Sequence, residues 1–104
     1  MIHVLAVITA KPGLRGRILE AYRANVAAVR AEDGCLAYEA VVDSADAPVA
    51  PGFATYGPDT FVVVERWASM EALRAHGAAP HMKAYAATVK DWTAERAIHV
   101  LEAA

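Results

Sequence analysis

The sequence predicts an α+β chain of βαββαβ order, on three observations. Residues 2–10, 35–43, 60–68 and the stretch from 95 have strand length and are rich in β-branched or aromatic residues. Two intervening stretches switch to the period of a helix with one apolar stripe. Glycine- and proline-bearing breaks punctuate the changes.

The first strand, "IHVLAVITA", ends at "KPG", where proline cannot donate to a ladder and glycine relaxes the backbone. From Leu14, the residues Leu14, Ile18, Tyr22, Val26 and Val29 form one stripe while Arg15, Arg23 and Arg30 lie off it. This helix ends near Glu32, with Gly34 as its punctuation. "CLAYEAVVD" and "TFVVVERWA" supply the second and third strands. Ser69 then caps a second helix, and Glu71 sits in its first turn, where the helix dipole favours negative charge. After the break at Gly77 to Pro80, a further helical segment runs to about Trp92. "ERAIHVL" closes the sheet as a fourth strand.

That order specifies a ferredoxin-like fold: an antiparallel four-stranded sheet, strands one and three central, with the helices on one face. The other face is then too apolar for water. Ile2, Val4, Ala6 and Ile8 point one way, yet Leu5 and Val7 opposite them are apolar as well. In strand three Phe61, Val63 and Trp67 oppose Val62 and Val64. By the same alternation Glu39 shares a face with Cys35, Ala37 and Val41. Leaving half a dozen such side chains in water forgoes about 1.5–3 kcal/mol each, so the expected cover is a second copy of the sheet, in a homodimeric α/β barrel.

At 104 residues the chain has the size of one domain spanning 1–104, and 57% hydrophobic residues against 21% charged exclude disorder. A formal charge of −2 with scattered arginines gives no field for nucleic acid. "MIHVLAVITAKPG" lacks a signal peptide's basic start and is too short to cross a bilayer, so a cytoplasmic protein without membrane insertion is expected. One cysteine, Cys35, cannot form an internal disulfide and reads as a small buried strand residue. Residues 44–58 form the one long irregular connection, read as an ordered arm over the pocket or the dimer edge.

The chemistry concentrates around "AHGAAPHMKAY". Met70, Leu73, His76 and Gly77 share a helical stripe, which aims His76 at the sheet; Gly77 leaves room beside it for a ligand. A buried histidine held by a carboxylate or carbonyl is the purely structural reading of the same pattern. His81 lies in the first turn after Pro80, where the dipole disfavours an imidazolium, so a neutral ring is expected. Met82, Tyr85, Ala86 and Val89 continue the buried stripe, and Tyr38 is a half-buried aromatic. No metal is expected: His76 and His81 are five apart across a break, with no third ligand suitably spaced. Gly13 and Gly16 match no nucleotide-binding loop, and no serine or cysteine has a nucleophile's setting.

These residues resemble the antibiotic biosynthesis monooxygenase superfamily. "EDGCLAY" (32–38) is similar to its "EGCxxY" with one inserted residue, and "VVERWASMEALRAHGAAPHMKAY" (63–85) resembles its "E-x-W…H-x-x-x-P-H" stretch. "GPDTFVVVERW", "PHMKAYAATVK" and "IHVLEA" are closest to the bacterial quinol monooxygenases. The resemblance implies a dimeric α+β barrel with a pocket between sheet and helices. It also implies oxidation of a quinol or polycyclic phenol by dioxygen without flavin, haem, metal or other cofactor. His76 would be the base, Trp67 an aromatic wall stacked on the substrate ring, and Glu65 a group that orients an imidazole or binds a hydroxyl. His81, Tyr38, Met82, Tyr85, Phe61 and Ala6 would shape the pocket. Haem-degrading relatives carry an asparagine where this chain has Ala6, which disfavours haem. A branch acting on a phosphorylated signalling molecule lacks a tryptophan at the Trp67 position. Binding of an apolar ligand without turnover, or another enzyme activity of the superfamily, are the alternative readings.

Overall fold

The computed structural model describes residues 1–104. Its elements are β1 (Ile2–Ala10), α1 (Arg15–Arg30), β2 (Cys35–Val41), β3 (Thr60–Trp67), α2 (Met70–Ala78), α3 (Pro80–Val89), a 3₁₀ turn (Lys90–Trp92) and β4 (Thr93–Leu101). The four strands form one antiparallel sheet in the order β2-β3-β1-β4, so β1 and β3 are central, as the βαββαβ order requires. No helix is long and apolar enough to cross a membrane.

Each helix starts and stops for a local reason. Ser69 adopts extended backbone and its Oγ accepts from the Ala72 amide at 3.1 Å, capping α2. Pro80 opens α3 at the position where a missing N–H costs nothing, and extended Ala79 before it separates α2 from α3. Gly34, at φ +83°, turns the chain from α1 into β2; a Cβ there would lie 2.6 Å from the Ala72 Cβ. Its carbonyl accepts from the Ala68 amide at 2.8 Å, tying the start of β2 to the end of β3.

The core lies between the sheet and the helices. Val4, Ile18, Val29, Phe61 and Trp67 are its largest fully buried side chains. The stripe of α1 contributes Ile18, Tyr22 and Val29, while Leu14 and Val26 pack at its edge. On the far face of the sheet Leu5, Val41, Val64 and Leu101 remain exposed.

One strand expectation needs correction. β2 pairs Cys35 with Trp67 but Ala37 with Arg66, so a bulge at Leu36 breaks the alternation. Cys35 therefore packs against the helix-side core, whereas Ala37, Glu39 and Val41 keep the other face. The 44–58 connection contributes no side chain to the main cavity. It is pinned instead at its base, where the Asp43 carboxylate accepts from the amides of Tyr56 and Gly57, and it carries Val49, Phe53 and Tyr56 in exposed positions. Those two amides hold the Asp43 carboxyl below its ordinary value.

Candidate active site

α2, β2 and β3 converge on one imidazole. His76 is 6% exposed, because the stripe of α2 turns it onto the sheet. Its ring lies 4.6 Å from the Trp67 ring and meets Tyr38 edge-on at 5.6 Å. Its Nδ1 is 2.9 Å from Oε2 of Glu32. A carboxylate can only accept, so Nδ1 carries the proton and Nε2, which has no partner within the chain, presents a lone pair.

Glu32 holds two histidines. The same Oε2 lies 3.3 Å from Nε2 of His81, whose Nδ1 is 3.1 Å from Oδ1 of Asn25. His81 thus sits between Asn25, within hydrogen-bond distance of its Nδ1, and the Glu32 carboxylate, in a longer contact with its Nε2.

Glu65 is buried, and its Oε1 accepts from Nε1 of Trp67 at 2.9 Å. Burial raises its carboxyl above the usual range, against the opposing effects of the Trp67 hydrogen bond and the nearby His76. The same cause, loss of solvent, raises the hydroxyls of Tyr38 and Tyr22, pushes Tyr85 to about 12, and raises the Cys35 thiol.

Beside this cluster lies a cavity of about 840 Å³, within the range of small-molecule sites. Val4, Ala6, Ile8 and Val63 form its floor, Leu73, Met82, Tyr85 and Val89 its wall, and His76, Glu65 and Tyr38 its polar end. Along β4 it is open: Ile98 and Val100 line it yet are about half exposed. Gly77 borders it, and a Cβ there would meet nothing within 4 Å.

The structure brings His76, Glu65, Tyr38, Met82, Tyr85 and Ala6 to the cavity and keeps three expected residues away from it. Trp67 is 0% exposed and lies behind the imidazole, so it supports His76 and cannot stack on a substrate ring. Phe61, at 1%, is core packing. His81 binds Glu32 and Asn25 instead of the cavity. The imidazole is oriented by Glu32, not by Glu65. Glu32 and Asn25 escaped the sequence reading, although one signal was present: a carboxylate just beyond the end of α1 faces the negative end of that helix dipole and calls for a cationic or donating partner.

Fold and cavity define a ferredoxin-like protein with an apolar ligand site ending in a carboxylate-held histidine. The chain belongs to the antibiotic biosynthesis monooxygenase family, whose model matches residues 1–88. It is 36% identical over 104 residues to the Escherichia coli K12 protein named "Probable quinol monooxygenase YgiN", covering 98% of this chain and 97% of that one. Among solved structures, PA3566 from Pseudomonas aeruginosa superposes with a TM-score of 0.81 at 26% identity, over 99% of this chain and 93% of that one. Rv0793 from Mycobacterium tuberculosis gives 0.79 at 29%, over 99% and 94%. Family and relatives together support a monooxygenase-type function.

Proposed function

We propose that the chain oxidises a quinol or polycyclic phenol with dioxygen and needs no cofactor, with His76 as the base. The observation that carries this reading is the imidazole itself: Glu32 fixes its Nδ1, and Nε2 is left without a partner where His76 borders an apolar cavity.

In this reading the substrate ring lies on Val4, Ala6 and Val63, and its hydroxyl meets Nε2. Transfer of the hydroxyl proton to Nε2 leaves an electron-rich anion, and Glu32 offsets the charge of the imidazolium. The anion gives one electron to dioxygen. Recombination of the two radicals at a ring CH, the carbon that is CH₂ in the keto tautomer, with the proton returned by the His76 imidazolium, forms a hydroperoxide, which loses water to leave a carbonyl, so one oxygen atom enters the product and one leaves as water. Separation instead, with a second electron following, yields a quinone and hydrogen peroxide. The protein supplies base, orientation and a dry environment, and a positioned base contributes about 10²–10⁴-fold. Trp67 backs the imidazole, and Glu65, whose carboxyl burial holds above the usual range, stands at the same end of the cavity as a hydrogen-bonding partner for a second substrate oxygen.

A second copy of the chain covers the far face of the sheet in this proposal. Leu5, Val41, Val64 and Leu101 form the apolar patch it would bury. Light scattering should give twice the chain mass, and Val64→Asp should shift it toward the monomer; a wild-type monomer at working concentration would refute the pairing.

The enzymatic reading is tested by oxygen uptake with a panel of hydroquinones and anthrones in metal-chelated, flavin-free buffer. The wild type should consume oxygen, and His76→Ala should lose about 10²-fold or more of that rate while keeping its fold. Ligand binding without any oxygen consumption would make the protein a carrier.

A further inference from the structure

The mouth of the cavity differs in charge from the rest of the chain. Lys83 of α3, Lys90 of the 3₁₀ turn that follows it and Arg96 of β4 all line it, with Glu95 as one of the lining's two acids. Glu65, the other acid of the lining, is at the buried end and bonded to Trp67. The chain as a whole carries −2, so a local excess of cations runs against its average. None of the three is neutralised by a neighbour: the ion pairs of the molecule are the two contacts of Glu32 with histidines.

Their placement follows from the fold. Lys83 lies on α3 and Lys90 opens the 3₁₀ turn directly after it, and the cavity lining between them is the small Ala86 and Ala87. Arg96 pairs with Ile8 across the ladder, which puts it on the helix side of the sheet, opposite α3. Its charge reaches inward, since it opposes the effect of burial on the Tyr85 hydroxyl. Helix, 3₁₀ turn and strand thus each contribute a cation to the lining of one cavity.

We infer that the substrate is an acidic aromatic, a phenol or quinol bearing a carboxylate on the ring edge away from the reacting hydroxyl, with Lys83, Lys90 and Arg96 receiving that carboxylate. The inference rests on the proposed oxidation for the hydroxyl's place at His76, but not for the charge at the mouth. A neutral quinol would leave the three cations without a counter-charge. An acidic one places a hydroxyl at the base and an anion at the mouth at the same time, which fixes which end enters first. Arginine adds a planar fork that matches a carboxylate with two hydrogen bonds. Cations at an opening also raise the encounter rate of an anion, an effect that salt screens.

The test compares a dihydroxynaphthoic acid with its methyl ester, which keeps ring and hydroxyls and removes the charge. Binding is followed by calorimetry, so the readout does not depend on turnover. The acid should bind about tenfold more tightly than the ester at low salt, the gain expected from two or three partly exposed ion pairs. That preference should shrink as salt is added. Arg96→Gln combined with Lys90→Gln should remove most of the preference while leaving ester binding and the thermal unfolding midpoint unchanged. An ester that binds as well as the acid, or a preference that survives the double substitution, would overturn the assignment. Oxygen uptake is measured on the same pair: tight acid binding without uptake refutes the oxidation and leaves the anion site standing, whereas uptake with equal use of both refutes the anion site alone.

Discussion

Trp67 and Val100 project from the same side of the same sheet, yet Trp67 is 0% exposed and Val100 is 48% exposed. The difference lies in what stands above them. α1 and α2 close over β2 and β3, where Tyr38, Glu65, Trp67 and His76 interlock, Glu65 held by the Trp67 indole and His76 by Glu32. β4 has no such roof, and the cavity occupies that gap. One half of the layer is a solid that fixes an imidazole, and the other is a space kept for something else. Precision and vacancy are therefore side by side in one sheet.

Substitutions can sharpen this contrast. Trp67→Ala removes a fully enclosed indole and the donor to Glu65, and should cost about 3–5 kcal/mol in denaturant unfolding. Gly34→Ala is expected to follow at about 1–3 kcal/mol, because it asks for a left-handed backbone and for space already held by Ala72. Val100→Ala, on the roofless half, should change stability by only about 0.5 kcal/mol. If Val100→Ala proved as costly as Trp67→Ala, the two halves would be equally packed and the contrast would fail.

A subtler probe is the pH dependence of Glu65. Burial raises its folded value above that of the unfolded chain, so the fold holds this proton more tightly. Its contribution is complete below the unfolded value of about 4.3 and is lost as pH rises toward the folded one. Glu65→Gln keeps an acceptor for Trp67 but no longer titrates, so its stability should fall less over that window than the wild type's. Parallel curves from denaturation at a series of pH values would show that burial of this carboxyl carries no such penalty.

Much of the fold was legible because its signals are local. The stripe of α1, the Ser69 cap, the Pro80 break and the alternation of β1 and β3 each lie within a few residues, and together they specify the strand order. The direction of His76 was legible for the same reason. Depth was not: alternation gives a side chain's face, and it cannot tell the enclosed Trp67 from an exposed neighbour on that face. Nor was the partner of His76, since Glu32 lies 44 residues earlier in a turn with no period of its own. The bulge at Leu36 reversed Cys35 because one extra residue inverts every inference drawn from parity. The cationic mouth was hidden because Lys83, Lys90 and Arg96 come from three elements whose side chains meet only in space.

The gap along β4 also sets the kind of selectivity such a site can have. A hollow sealed all round would measure its guest in every dimension. This one, bounded below by strands and above by α3 but open along β4, leaves one margin of its guest ungauged. Substituents on the edge of a bound ring that faces Ile98 and Val100, both about half exposed, would meet solvent and not a wall, so selection falls to the enclosed side.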